Sequence, residues 1–212
     1  MEQKTMSEGY SAPDQTYQYI VAMGISTGGP KLLSHLINTL DETLSATYLI
    51  VQHMPTGFTK SLAERLNNLT HLTVKEAETG EYLRRGVIYI APGGYQLKVI
   101  NGLKPYIQLT DELPYKGHKP SVNIMLLSLA RLQKYKGKII AVIMTGMGSD
   151  GLEGVMELKK SYPCQVIAQD QASSVVFGMP KAIINAELAD FIVPGKDISQ
   201  KIKEIVGDRH GC

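Results

Sequence analysis

Short apolar runs of strand length alternate with stretches of helical period, and this alternation narrows the fold more than any other feature of the chain. Tyr19–Met23 and Thr47–Gln52 are dense in Ile, Val, Leu and Met, and each is followed by an amphipathic stretch, Lys31–Leu40 and Phe58–Asn67. The runs do not alternate apolar with polar residues, which suits strands covered on both faces. The rhythm predicts βαβ units and an α/β fold, with a doubly wound, mainly parallel sheet and helices on both faces. It resumes late in the chain: strands at Lys138–Met144, Gln165–Gln169 and Asp190–Val193, helices at Leu152–Lys160 and Asp197–Val206. In the last helix Asp197 and Gln200 have the spacing of a capping box.

Between these halves the pattern changes. Leu72–Ala77, Val87–Ile90, Tyr95–Ile100 and Tyr106–Leu109 are short and punctuated by Gly and Pro, so the expectation is a hairpin region or edge strands. Ser121 is placed to cap a helix running to about Tyr135, with Val122, Met125, Leu126, Leu129 and Leu132 at helical spacing.

The chain has 212 residues, enough for one sizeable core and too few for two typical domains with linkers. Residues 1–17 are polar and read as a flexible tail, 18–206 as the folded domain, and 207–212 as a C-terminal tail. No apolar run reaches the roughly 20 residues that span a bilayer, and the N-terminus lacks a basic start and an apolar stretch. The expectation is a cytoplasmic protein without membrane insertion. Cys164 and Cys212 form no recognisable pair or metal spacing. A net charge of +2 with scattered lysines argues against nucleic acid as partner.

Chemistry concentrates where the apolar runs end. Ser26 lies in Gly24-Ile25-Ser26-Thr27-Gly28-Gly29-Pro30, a tight strand-to-helix turn that can expose a hydroxyl beside backbone N–H groups. His53 ends the next run, 27 residues later, one strand–helix–strand step away. Asp150, in Thr145-Gly146-Met147-Gly148-Ser149-Asp150-Gly151, follows a third run. A hydroxyl needs a base, and the base needs a carboxylate to orient it, so three strand ends supply a nucleophile, a general base and an orienting acid. Each residue also has a plainer reading: Ser26 as a helix cap or anion contact, His53 as a loop donor, Asp150 as a turn residue. Of the other histidines, His35 falls in a helix, His71 in a polar turn and His210 in the terminal tail, while His118 precedes a helix and receives a minor role at most. The order Ser, His, Asp differs from the Ser, Asp, His order of α/β-hydrolases, so the Gly-x-Ser-x-Gly match does not assign the chain to them.

Six segments, taken together, resemble the catalytic domain of the bacterial chemotaxis methylesterases, the CheB family. They are Ile25-Ser26-Thr27-Gly28-Gly29-Pro30, Val51-Gln52-His53-Met54-Pro55 with Gly57-Phe58-Thr59, Tyr89-Ile90-Ala91-Pro92-Gly93, Lys119-Pro120-Ser121-Val122, Thr145 to Gly151, and Ala168-Gln169-Asp170 through Gly178-Met179-Pro180. The resemblance implies hydrolysis of glutamate methyl esters, and deamidation of glutamine, on the cytoplasmic helices of chemoreceptor-type proteins. It implies Ser26, His53 and Asp150 as triad, and backbone N–H groups of Met147 and Thr27 as oxyanion donors; Thr27 also follows from its place after the nucleophile. No metal or organic cofactor is implied. The family commonly carries a receiver domain ahead of the catalytic one, and a 17-residue tail is too short to be one. Two other readings stay open: a serine esterase for another substrate on the same triad, and a non-catalytic anion-binding module. The second is disfavoured because the loop lacks a Lys after its glycines and fails Gly-x-Gly-x-x-Gly at Ser26.

Overall fold

The computed structural model describes residues 17–132, 138–161 and 164–207. Of the expected tails, 1–17 and 207–212, residues 1–16 and 208–212, with His210 and Cys212, lie outside the described residues, while Gly207 ends the last helix. In chain order the elements are β1 (Tyr19–Ile25), α1 (Gly29–Thr39), β2 (Ala46–Gln52), α2 (Phe58–Asn67), β3 (Thr73–Glu76), β4 (Val87–Ile90), β5 (Gln96–Ile100), β6 (Tyr106–Thr110), α3 (Val122–Leu129), β7 (Lys138–Ile143), α4 (Leu152–Ser161), β8 (Cys164–Gln169), α5 (Met179–Asn185), β9 (Phe191–Val193) and α6 (Ile198–Gly207). A short 3₁₀ turn at Gly195–Asp197 leads into α6, so Asp197 sits before the helix rather than within it.

Seven strands form one sheet in the order β3-β4-β2-β1-β7-β8-β9, and every pairing in it is parallel. β1 and β2 are buried along their whole length, as their unbroken apolar composition requires. One face of the sheet packs Leu33, Leu36, Leu62, Leu66, Ile198 and Ile202 from α1, α2 and α6. The other packs Val122, Leu126, Val155, Leu158, Met179 and Ile183 from α3, α4 and α5. The result is the three-layer α/β/α architecture that the alternation predicts.

The middle of the chain divides in two. β5 and β6 pair as an antiparallel hairpin outside the main sheet, as expected. β3 is an edge strand, but β4 is interior, paired in parallel with both β3 and β2. The reason is burial: Ile88, Tyr89 and Ile90 are covered on both faces, which a four-residue run does not announce. The helix expected to reach Tyr135 ends at Leu129, where Arg131 and Leu132 N–H groups bond three residues back, to Ser128 and Leu129, and close the last turn. Residues 133–135 lie outside the described residues. α5 was not expected, because Pro180 masks a short helix that it in fact starts.

Strand order reverses about β1: the chain runs outward through β2 on one side and returns through β7 on the other. In an open parallel sheet such a reversal opens a crevice at the carboxyl ends of the two strands. The loops after β1, β2, β7 and β8 all emerge there.

Candidate active site

Ser26 leaves β1 one residue beyond its pairing with β2, and its N–H donates to Thr145 O at 2.9 Å, which seats the turn on the end of β7. Gly28 then takes φ +84°, a conformation open to glycine, and caps α1 directly after the Ser26-Thr27 pair. A Cβ there would also strike Val175 Cγ2 at 2.6 Å. The turn after β2 repeats this design, with Gly57 at φ +87° opening α2. Ile25 pairs with Gln52 at the ends of the two strands, so His53 stands at the level of Ser26 on the neighbouring strand.

The two turns are tied by a side chain that sequence reasoning passed over. Gln52, the last residue of β2 and 2% exposed, donates through Nε2 to Ser26 O at 3.1 Å and to His53 O at 3.2 Å. His53 N–H donates to Ile25 O at 3.0 Å. Two further buried glutamines serve the adjacent loops. Gln169, ending β8, accepts from Thr145 N–H at 2.8 Å and donates to Ser173 O at 2.9 Å. Gln96, opening β5, donates to His118 O at 3.0 Å and accepts from Ser121 N–H at 2.8 Å. For Gln52 and Gln169 the signal available in the sequence was a polar residue ending an otherwise apolar strand run.

Asp150 reaches the site from the loop after β7 and is buried, its side chain 1% exposed. Oδ2 accepts from His53 Nε2 at 2.8 Å and from Val122 N–H at 2.8 Å. Oδ1 accepts from Ser121 Oγ at 2.9 Å and Asn123 N–H at 3.0 Å. The carboxylate thus occupies the N-terminus of α3, where two free N–H groups and the helix dipole favour negative charge. Burial alone would raise its pKa, but the bonds from His53, Asn123 and Val122, with the charge of His53, outweigh it and hold the carboxyl below its usual range. Ser121 is the N-cap of α3, as expected, and spends its hydroxyl proton on Asp150.

With Nε2 given to Asp150, the Nδ1 atom of His53 is the nitrogen left for acid–base work; it is buried and has no hydrogen-bond partner. Ser26 Oγ likewise has no partner among the described residues, and no direct bond joins it to His53. Such links commonly tighten only when substrate is bound. The structure therefore brings His53 and Asp150 into contact and sets Ser26 on the adjoining strand end. Thr27 and Met147 flank the same space: Thr145 Oγ1 donates to Thr27 O at 2.9 Å, and a Cβ on Gly146 would meet Ser26 Cβ at 2.8 Å. Among the described residues the N–H groups of Thr27 and Met147 have no protein acceptor.

His118, expected to have a minor role at most, lies beside His53. Its ring lies flat on that of His53, centroids 4.2 Å apart and planes 9° apart. His53, His118 and Asp150 offer three donor atoms within 4.8 Å of one another, a spacing that could hold a metal ion. Both Asp150 oxygens are already engaged by four donors, from His53, Ser121, Val122 and Asn123. His35 and His71 are exposed, in α1 and in the turn before β3. Cys164 is half-buried at the start of β8, where burial pushes its thiol pKa up.

Residues 21–202 match the family model described as CheB methylesterase. A protein-glutamate methylesterase/protein-glutamine glutaminase of Halalkalibacterium halodurans is 53% identical over 173 residues, which is 81% of this chain and 49% of that protein. One of the same name from Geobacillus kaustophilus is 45% identical over 200 residues, 94% of this chain and 57% of that protein. Among solved structures, the crystal structure of the Thermotoga maritima CheB methylesterase catalytic domain superposes with a TM-score of 0.83 at 44% identity, covering 88% of this chain and 98% of that one. The chain thus spans about half the length of the curated relatives it matches.

Proposed function

Because the chain belongs to the CheB methylesterase family, we propose that it is a serine hydrolase that removes methyl groups from glutamate methyl esters of chemoreceptor-type proteins, and that the same site deamidates glutamine. The observation that carries the reading is the His53 ring: Nε2 is committed to a buried carboxylate while the buried Nδ1 has no partner. A histidine fixed in this tautomer is a base with one free lone pair, one strand away from a turn-borne serine.

In the proposed reaction His53 Nδ1 takes the Ser26 proton as Oγ bonds to the ester carbonyl carbon. The carbonyl oxygen becomes an oxyanion, received by the Thr27 and Met147 N–H groups. The tetrahedral adduct collapses, the bond to the methoxy group breaks, and His53 returns its proton so that methanol departs. Water, deprotonated by Nδ1, then attacks the acyl-enzyme; the Ser26 ester bond breaks, Oγ regains its proton and the glutamate carboxylate is released. With an amide in place of the ester, ammonia is the first leaving group. No step requires a metal or organic cofactor. Asp150 holds the ring and offsets the imidazolium charge in each transition state.

The proposed substrate segment is a methylated cytoplasmic receptor helix, which places the protein in the cytoplasm. No helix among the described residues is long and apolar enough to cross a membrane. Treatment with a fluorophosphonate, followed by peptide mass spectrometry, tests the nucleophile: the adduct is expected on Ser26, abolished in His53→Ala. Labelling of another serine, or none at all, would contradict the assignment.

A further inference from the structure

We infer that His118 is a positioning residue of this reaction, a neutral imidazole that holds the plane of His53 and must stay uncharged while His53 carries the proton. The inference rests on the esterase reading and adds a residue to it. For relay chemistry the His53 ring must keep Nε2 on Asp150 and Nδ1 free in one plane, and a flat ring at 4.2 Å with 9° between planes blocks tipping out of that plane.

His118 is not loosely laid there. Its carbonyl accepts from Gln96 Nε2 and from Tyr115 N–H, both at 3.0 Å, and its own N–H donates to Tyr115 O at 3.0 Å. The same Gln96 side chain, fully buried, accepts from Ser121 N–H, and Ser121 with Val122 and Asn123 holds Asp150. One amide from the hairpin therefore sets the ring that stacks on His53 and the helix start that holds the carboxylate bonded to it.

The charge argument follows from the neighbours. His53 faces His118 from the loop after β2 and Asp150 from the loop after β7. Lys116 and Lys119, from its own loop, are paired with Glu153 of α4 and with Asp111. Burial, then the charge of His53, lowers the His118 pKa, while Asp150 raises it by less. His118 is thus kept neutral when His53 becomes imidazolium, and a proton on His118 would oppose that step.

The test is methanol release from a methyl-labelled chemoreceptor across pH 5–9 by wild type, His118→Phe and His118→Ala, with thermal midpoints measured alongside. His118→Ala is expected to lose roughly tenfold or more in kcat at unchanged KM, and His118→Phe, which keeps the flat face, to recover to within about threefold of wild type. Below both protonations log kcat of the wild type should fall with a slope of two per pH unit, and that of His118→Phe with a slope of one. A folded His118→Ala with wild-type kcat, a His118→Phe no better than His118→Ala, or a slope of one in both wild type and His118→Phe would each overturn the inference. Should His118→Ala not fold, the His118→Phe slope decides alone. A wild type that releases no methanol would instead refute the esterase reading itself.

Discussion

Gln52 and Gly29 occupy a shared space: a Cβ on Gly29 would lie 1.9 Å from Gln52 Oε1. The glutamine is drawn in because its Nε2 bonds the carbonyls of Ser26 and His53, and α1 can begin this close to β2 only where its first residue has no side chain.

Gly29→Ala is accordingly expected to push Gln52 off both carbonyls and to lower kcat by about tenfold or more, since misplacement on the order of 1 Å has that effect. Gln52→Leu leaves the His53 carbonyl without its side-chain donor, while Ser26 O keeps the Gly29 N–H at 2.9 Å, and should lower stability by about 1–3 kcal/mol. Steady-state kinetics and urea unfolding of both variants check this.

Asp150 links the site to acid stability. Its folded-state pKa lies below the ordinary 3.8, so the stability it contributes is present above that value and lost as pH falls from 3.8 through the lower folded value. His118 also has a depressed pKa, so the unfolded chain takes up its proton first, and stability falls earlier, as pH drops below 6.5. Two steps of acid destabilisation are expected in the thermal midpoint, the upper absent in His118→Phe and the lower reduced in Asp150→Asn, where Asp41, its pKa held at about 2 by Lys203 and Thr43, still contributes. Asp150→Asn should also cost about 10⁴ in kcat, by letting the wrong tautomer of His53 form.

Thr145 lies between the nucleophile turn and the loop after β8. Its hydroxyl donates to Thr27 O and accepts from Val176 N–H at 3.0 Å. Thr145→Val keeps the shape and removes both bonds, so a stability loss of about 1–3 kcal/mol is expected, with a fall in kcat and little change in KM as the Thr27 N–H loses its aim. An unchanged kcat in a folded Thr145→Val would show that Thr27 needs no such support.

The layers and the gathering of Ser26, His53 and Asp150 at one sheet edge were legible because buried parallel strands leave an unmistakable apolar run, and each of the three residues follows one. β4 was misjudged because a run as short as Val87–Ile90 looks alike in an edge strand and in the interior; only its partners on both sides distinguish them. The stacking of His118 on His53 was not legible for a related reason. Its place on His53 depends on Gln96, and the path from β5 to α3 is set by long-range bonds that local pattern does not carry. The three glutamines were missed because a polar residue at the end of a strand, as Gln52 and Gln169 are, or at its start, as Gln96 is, reads as a boundary, although it is here the clamp between one loop and the next.

The central claim is that the Ser26 hydroxyl is the nucleophile that cleaves a glutamate methyl ester. Methanol release from methyl-labelled chemoreceptor, compared between the wild-type chain and Ser26→Ala, tests it most directly. The account predicts release by the wild type and a loss of about 10⁴ to 10⁶ in turnover for Ser26→Ala. Release by Ser26→Ala at the wild-type rate would contradict it.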